Sequence, residues 1–352
     1  MPYTIAPVTE SQLERAVDIW RIAFGAAERD RFRKFARESL SLFIGAFLDG
    51  ELHATAGIID FQIHLGKRWL PCGGIAAVAT NPPHRRRQLV KKMLTECLRV
   101  LHERRVPLST LWPFSYPFYR RMGWAVTDLQ YSIEVDPSSL PDQGDPGGYK
   151  MISLDQFRAL MPLHDRWVEQ NNLSIRRDEQ RWQRMLSDPE CSWILYVHND
   201  GYMLWNIKKP TDRLLAISEW ACLSQSAFLD GLSLLRHMRD LQFDRVRWRC
   251  CDIEPFLALG VPDPKPTILV KPGMMSRVVH IDAFREALPV KTGKLVVRDP
   301  LGISGDAQAH NGLDPGGLVQ LVTGFWREPP VGMPADLSAV AADFAAYSAE
   351  MY

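Results

Sequence analysis

The sequence has little net charge. Lys and Arg together number 42 and Asp and Glu number 41, which leaves a formal net charge of +1 over 352 residues. Such a balance gives no overall field that would attract nucleic acid, an anionic membrane or an acidic ligand. We therefore expect no nucleic-acid partner and no membrane partner, and any recognition of charge must be local.

Paired cysteines and long apolar runs are also missing. The six cysteines show no C-x-x-C spacing, and the adjacent Cys250 and Cys251 are poorly placed to bridge one another, so reduced thiols are expected. The first residues have no basic head followed by an apolar stretch, and no window reaches the roughly 18 apolar residues of a membrane span. We expect a soluble cytoplasmic protein. The histidines do not cluster with cysteines or carboxylates, so no metal site is expected.

The length exceeds what one hydrophobic core usually serves, which predicts two or three domains. Residues 1–136 have the pattern of a helix, a hairpin, a strand, a helix and further strands, and form the first predicted domain, of α/β (α+β) class. Residues 137–148 are rich in Pro, Gly, Asp and Ser and predict a linker. The strand pattern "WAVTDLQYSIEV" closes this domain just before that linker.

The order of hairpin, strand, helix and strand recurs over residues 149–271, which predicts a duplicated domain. Residues 272–352 form a third, smaller predicted unit. It has strands near Lys294–Val297 and Val319–Phe325, followed by a helix-like tail.

An arginine-rich segment lies where a predicted strand passes into a predicted helix. It consists of Arg85, Arg86, Arg87, Gln88, Leu89 and Val90. A helix N-terminus leaves backbone N–H groups unpaired and carries a partial positive charge, so a strand, a basic loop and a helix together can hold a pyrophosphate. The alternative is a solvated loop, because runs of charge usually face water.

Two motifs carry a family resemblance: "PPHRRRQL" before the helix and "PFSYPFYRRMGW" after the next strand. The sequence resembles the GNAT acetyltransferases, and more closely the Eis-like family. The resemblance spans nearly the whole chain. It implies two GNAT-like domains, the second degenerate, followed by a sterol-carrier-protein-like domain.

The resemblance implies acetyl-CoA as co-substrate and no metal. The 85–90 segment would hold its pyrophosphate, and the backbone at Ala77, Val78 and Thr80 would pair with the pantetheine arm. Gln88 stands where the family has Gly. A helical conformation needs no glycine, so Gln88 can keep the fold, and its amide can donate to a phosphate or its bulk can obstruct the cofactor.

Acetyl transfer needs a proton donor for the leaving thiolate and a neutral amine. In "FYRRMGW", Tyr119 matches the family's general acid, with Tyr116 three residues earlier as its rival. The family uses its C-terminal carboxylate as base, which here belongs to Tyr352. That carboxylate, with a pKa of about 3.5, is a weak base that would act through water or position the ammonium group. Glu28 and Asp30 are candidates to face a cationic substrate, and the alternative is that they belong to a solvated helix face.

These observations predict an N-acetyltransferase acting by direct attack on a primary amine. The amine would belong to a small polycation such as an aminoglycoside-like compound, or to a lysine-like side chain. The alternative is a degenerate GNAT-fold protein that binds acyl-CoA or another ligand without turnover, which Gln88 motivates. A lipid-binding module resting on the last domain is a third hypothesis. A homo-oligomer is a further hypothesis.

Overall fold

The structure is a computed structural model that describes residues 2–25, 29–188, 191–207, 213–241, 243–260, 262–288, 297–308, 312–323 and 325. The chain divides into two compact units. The first contains the described residues up to Thr127 and from Met274 onward, and the second is Asp128–Gly273.

Both units contain strands and helices. The strands are β1 (Thr4–Pro7), β2 (Leu42–Leu48), β3 (Glu51–Leu65), β4 (Arg68–Thr80), β5 (Leu108–Leu111), β6 (Ala125–Val126), β7 (Leu129–Val135), β8 (Lys150–Ile152), β9 (Trp193–His198), β10 (Gly201–Asn206), β11 (Leu214–Cys222), β12 (Arg245–Cys250), β13 (Thr267–Pro272) and β14 (Met275–Val278). The helices are α1 (Leu13–Phe24), α2 (Arg29–Ser39), α3 (Leu89–Glu103), α4 (Tyr116–Arg120), α5 (Met161–Val168), α6 (Glu179–Leu186), α7 (Gln225–Arg236), α8 (Glu254–Leu257), α9 (Ile281–Ala287) and α10 (Pro315–Val322).

The two units contain sheets of the same topology. The first sheet has the strand order β1-β2-β3-β4-β5-β14-β6. Counted from the corresponding edge, the second sheet has the order β8-β9-β10-β11-β12-β7-β13. In each sheet one parallel pair, β4 with β5 or β11 with β12, is connected through a helix, and the other pairs are antiparallel. The repeated order of elements seen in the sequence therefore corresponds to a repeated fold.

One strand is exchanged in each direction between the two sequence halves. Strand β7 follows the first unit in sequence but pairs with β12 and β13 of the second sheet. Strand β14 follows the second unit but pairs with β5 and β6 of the first. Strand β7 lies before the predicted boundary at 136 and β14 lies after the one at 272, so the order of the strands along the chain is not their order in the sheets, because strand pairing is decided by long-range contacts that local patterning does not encode.

The end of the chain also differs from the sequence prediction. Residues 319–322 belong to helix α10 rather than to a strand. Asp314 caps this helix by accepting the Gly317 N–H at 2.8 Å, and Pro315 occupies its first position, where no N–H is needed. The predicted strand near Lys294 and the helix-like tail lie mostly outside the described residues. The sterol-carrier-like fold of 272–352 stays a prediction.

Helix α3 positions the candidate site, and its sequence explains its placement. Its apolar face is fully buried against the first sheet and consists of Leu89, Met93, Leu94, Cys97, Leu98 and Leu101. Residues of this type at spacings of three and four form one continuous stripe on a helix. Burial of this stripe fixes the direction in which the N-terminus of α3 points.

A buried ion pair attaches the segment after residue 297 to the first sheet. The Arg277 guanidinium, on β14, donates to Asp299 at 2.6 Å, to the Met122 carbonyl at 2.5 Å and to Ser304 at 3.0 Å. Neither charged side chain of the pair has any solvent exposure. Burial lowers the pKa of Arg277, and the Asp299 carboxylate opposes that effect. Asp299 also accepts three backbone N–H groups, so it organises its own loop.

The second unit contains a buried polar chain. Arg177 donates twice to Glu219, at 3.0 and 2.7 Å, and Tyr202 donates to the same carboxylate at 2.5 Å. Because the Tyr202 hydroxyl donates its proton to Glu219, the tyrosine oxygen acts as the acceptor toward His164. The His164 Nδ1–H therefore donates to this oxygen, 2.8 Å away. The His164 side chain is 2% exposed, and burial is the largest cause of its lowered pKa. This histidine is therefore held neutral inside the protein.

We expect the stability of this unit to fall in acid. Burial, with a contribution from Arg177, lowers the pKa of His164 to about 4, against an ordinary value of 6.5. Between those two values the unfolded chain binds a proton that the folded chain refuses, so the free energy of unfolding falls as the pH drops, by up to about 3 kcal/mol. His164→Phe removes this dependence. Denaturant titrations from pH 7 to pH 4 measure how the free energy of unfolding depends on pH. The same dependence in the variant and in the parent would contradict the prediction.

Candidate active site

A cavity of about 840 Å³ opens in the first unit beside the end of β4. Its wall combines the C-terminus of α1, the end of β4, the loop before α3, the start of α3 and the segment 114–122. The lining residues are Ile22, Ala23, Phe24, Val78, Ala79, Thr80, Pro82, His84, Arg85, Arg86, Arg87, Gln88, Leu89, Val90, Lys91, Phe114, Phe118, Arg121 and Met122. Eight of the nine predicted cofactor-binding residues are among them, and the exception is Ala77.

The C-terminal end of β4 does not pair with its parallel neighbour β5. Strands β4 and β5 pair only from Cys72 to Gly74, so the remainder of β4 runs on beside the cavity. At Ala77 the strand bulges, with φ of +56° and a register shift against β3. The Thr55 hydroxyl donates to the Ala77 carbonyl at 2.7 Å and accepts the Trp20 indole N–H at 2.8 Å. This buried chain of hydrogen bonds fixes the bulge and presents Val78 and Thr80 to the cavity.

The arginine loop and the start of α3 form the basic wall. Arg85, Arg86 and Arg87 are exposed and line the cavity. No side chain caps the N-terminus of α3. The first N–H groups of a helix lack partners within the helix and carry its partial positive charge. The loop therefore combines three guanidinium groups with a helix N-terminus, an arrangement suited to a pyrophosphate.

The backbone at Gln88 corrects the sequence analysis. Gln88 does not take the helical conformation that would make glycine unnecessary; it is left-handed, with φ of +59° and ψ of +16°. Arg86 is left-handed as well, with φ of +61°. For a residue with a Cβ this conformation costs about 1–2 kcal/mol, whereas glycine adopts it freely. The loop thus keeps a glycine-type backbone without the glycine.

Gln88→Gly is therefore expected to raise the free energy of unfolding. Glycine removes the free-energy cost of the left-handed conformation, and it also stabilises the unfolded chain by raising its conformational entropy. The first effect should exceed the second by about 0.5–1 kcal/mol. Gln88→Ala is the matched control, because it removes the amide and keeps the Cβ, and it should show no such gain. Urea unfolding measures both. A less stable glycine variant would mean that the glutamine side chain contributes more than the strain costs.

Two histidines and a tyrosine pack against the start of the arginine loop. The sequence analysis did not predict this cluster. The His84 ring stacks on the His53 ring at 3.6 Å between centroids, and the His84 Nδ1 atom lies 2.7 Å from the Tyr3 hydroxyl. The Arg87 guanidinium lies over the Tyr3 ring, 5.9 Å from its centroid. Burial and the neighbouring His84 lower the pKa of His53. Only the position of His84 beside the arginines gave a signal, because its partners come from distant segments.

Tyr119 lies just behind the cavity wall. It is 2% exposed and does not itself line the cavity, but its ring contacts Phe114 and Phe118, which do, at 5.2 Å between centroids in each case. Burial raises the pKa of the Tyr119 hydroxyl, so the group stays protonated at neutral pH. Tyr116 is half-buried against the same core. The structure therefore places Tyr119 directly behind the cavity wall, and Tyr116 begins the same short helix.

Other predicted site residues are not brought together here. Tyr352 and Glu28 lie outside the described residues. The Asp30 carboxylate is exposed and is paired with Arg33 at 2.5 Å. Within the described ranges, no group of three or more His, Cys, Asp or Glu side chains is arranged to hold a metal ion, and no helix is long and apolar enough to cross a membrane.

Family models identify both halves of this fold. Acetyltransferase (GNAT) domain models match residues 4–127 and residues 173–280, which confirms the predicted tandem of GNAT domains. In the second unit only Leu223 and Ser224 separate β11 from α7, so the long basic loop of the first unit has no counterpart there.

Curated relatives and solved structures agree with these matches. The N-acetyltransferase Eis of Mycobacterium tuberculosis is 22% identical over 240 residues, covering 58% of this chain and 60% of that protein. The chain thus matches less than two thirds of the length of its Eis relatives. An uncharacterized N-acetyltransferase of Streptomyces griseus is 27% identical over 338 residues, or 86% of this chain and 80% of the relative. The crystal structure of Eis1 from Mycobacterium abscessus superposes with a TM-score of 0.72 at 18% identity, covering 92% of this chain and 89% of that one.

Proposed function

Because the chain belongs to the GNAT N-acetyltransferases of the Eis-like type, we propose that it transfers the acetyl group of acetyl-CoA to a primary amine. The observation that carries the proposal is the cavity wall, in which a bulged strand end meets an arginine loop and an uncapped helix N-terminus. The strand end suits the pantetheine arm, and the loop suits the pyrophosphate. Both are supplied by the first unit.

The reaction proceeds in a ternary complex. The neutral amine nitrogen attacks the thioester carbonyl carbon, the carbon–sulfur bond breaks, and the leaving thiolate takes a proton. Tyr119 is our candidate for that proton donor, with Tyr116 as the rival. The amine loses one proton as the amide forms. The Tyr352 carboxylate, taken from the family resemblance, is the candidate to receive it, directly or through water.

Calorimetric titration with acetyl-CoA and CoA tests the proposal. We expect binding to the parent protein and an affinity lower by about 5- to 150-fold in Arg86→Ala, the range for one charge-assisted hydrogen bond. Arg99→Ala is the matched control, because this exposed arginine lies further along α3 and pairs with Glu96 and Glu103. Absence of binding at millimolar acetyl-CoA would overturn the proposed function. Binding without turnover of any amine would favour the non-catalytic alternative.

A further inference from the structure

Exposed apolar side chains in the first unit are concentrated at the cavity. Among its described residues, the large apolar side chains that are exposed are Ile22, Phe24, Trp112 and Phe114, with exposed fractions between 56% and 66%. Ile22, Phe24 and Phe114 line the cavity, and Trp112 lies two residues before Phe114. A cluster of exposed apolar side chains on an otherwise well-packed domain usually marks a binding surface. We call these four residues the apolar rim.

The charges around the cavity are positive. The lining contains Arg85, Arg86, Arg87, Lys91 and Arg121, and no carboxylate is present among the described lining residues. Three carboxylates of the neighbouring α1 and α2 are paired with arginines at the surface. Glu14 is 2.6 Å from Arg33, Asp18 is 2.5 Å from Arg29, and Asp30 is 2.5 Å from Arg33. The three loop arginines face the pyrophosphate in the proposed ternary complex, which leaves Lys91 and Arg121, and a substrate with several positive charges would find no carboxylate among the described lining residues to receive it.

The apolar rim also adjoins the proposed proton donor. The Phe114 ring contacts the Tyr119 ring edge-on at 5.2 Å, and Phe118 contacts both of them. The α1 end contributes Ile22 and Phe24 to the same cavity. A substrate body packed on this rim would place its amine near the group that protonates the thiolate.

Resting on the proposed function, we infer that the acceptor is a primary amine with one positive charge and an apolar, aromatic body: an arylalkylamine. Its ring packs against Ile22, Phe24 and Phe114, and its single amine loses its charge before attack. This departs from the small polycation predicted from the sequence. The difference arises because the described lining of the cavity contains no carboxylate, which the sequence pattern did not reveal.

The experiment compares amines and rim variants. The rate of CoA release is measured with 2-phenylethylamine and with spermidine for the parent, Phe24→Ala, Phe114→Ala and Phe24→Glu. Met151→Ala, an equally exposed apolar residue on β8 of the second unit, is the control. Saturation-transfer NMR measures binding of 2-phenylethylamine to the CoA complex independently of turnover. Calorimetry checks that the acetyl-CoA affinity is unchanged to within about threefold, a difference well below the effect expected for a buried phenyl ring.

We expect kcat/KM for 2-phenylethylamine to exceed that for spermidine by at least about tenfold, and each alanine variant to lower it by about tenfold. Phe24→Glu should shift the preference toward spermidine, and Met151→Ala should change nothing. A preference of the parent for spermidine, unchanged rates in both alanine variants, or absence of 2-phenylethylamine binding would overturn the inference while acetyl-CoA binding persists. Loss of acetyl-CoA binding in the parent would instead overturn the proposed function, and the inference with it.

Discussion

Tyr119→Phe is expected to lower kcat by about 100-fold or more, the usual contribution of a positioned proton donor, with little change in acetyl-CoA affinity. The substitution removes only the hydroxyl. The ring contacts with Phe114, Phe118 and Trp124 are retained, so the melting temperature should stay close to that of the parent. Burial raises the pKa of this hydroxyl, and the proton donor should therefore not be lost through deprotonation up to at least pH 9. Steady-state kinetics with saturating acetyl-CoA measure the effect.

Tyr116→Phe is the matched control, because it also removes a tyrosine hydroxyl, and Tyr116 is the first residue of the helix that contains Tyr119. Its kcat should remain within a few-fold of the parent value. If the losses are reversed between the two variants, the rival tyrosine takes the role. Full activity of both variants would remove tyrosine from the proton transfer altogether.

Asp299→Ala is expected to lower the free energy of unfolding by about 3–5 kcal/mol, because it leaves the Arg277 guanidinium buried without its counter-charge. The same change removes the acceptor of the backbone N–H groups of Leu301, Ile303 and Ser304. The loop of residues 299–304 would lose its attachment to the sheet. Urea or guanidinium unfolding, followed by tryptophan fluorescence, measures the loss.

A surface pair provides the comparison. Arg105 and Glu286 lie 3.1 Å apart with more than half of each side chain exposed, so Glu286→Gln should cost less than about 1 kcal/mol. The double variant Arg277→Met with Asp299→Leu should recover the part of the loss that comes from the uncompensated guanidinium, whereas the part that comes from the unpaired backbone N–H groups should persist. Equal small losses at the buried and the exposed pair would show that the buried pair is dispensable.

Features that depend on neighbouring residues were correctly predicted from the sequence. The passage from strand to arginine loop to helix around residues 85–90 could be predicted because apolar periodicity and helix-start chemistry are local. The second GNAT-like domain was visible because the same order of patterns recurs. The apolar run at 319–322 was misassigned as a strand, since a short apolar run is compatible with either structure and the Asp314 cap and Pro315 decided for the helix.

The sequence by itself determined the order of elements, the basic loop and the positions of the candidate tyrosines, because each depends on residues within one or two turns of chain. The tertiary structure decided the rest. It placed β7 and β14 in exchanged sheets, imposed the left-handed backbone on Gln88, stacked His53 on His84, and enclosed Arg277 with Asp299. These features join residues far apart in sequence, and their energies come from burial, backbone geometry and charge pairing that exist only once the sheets have formed.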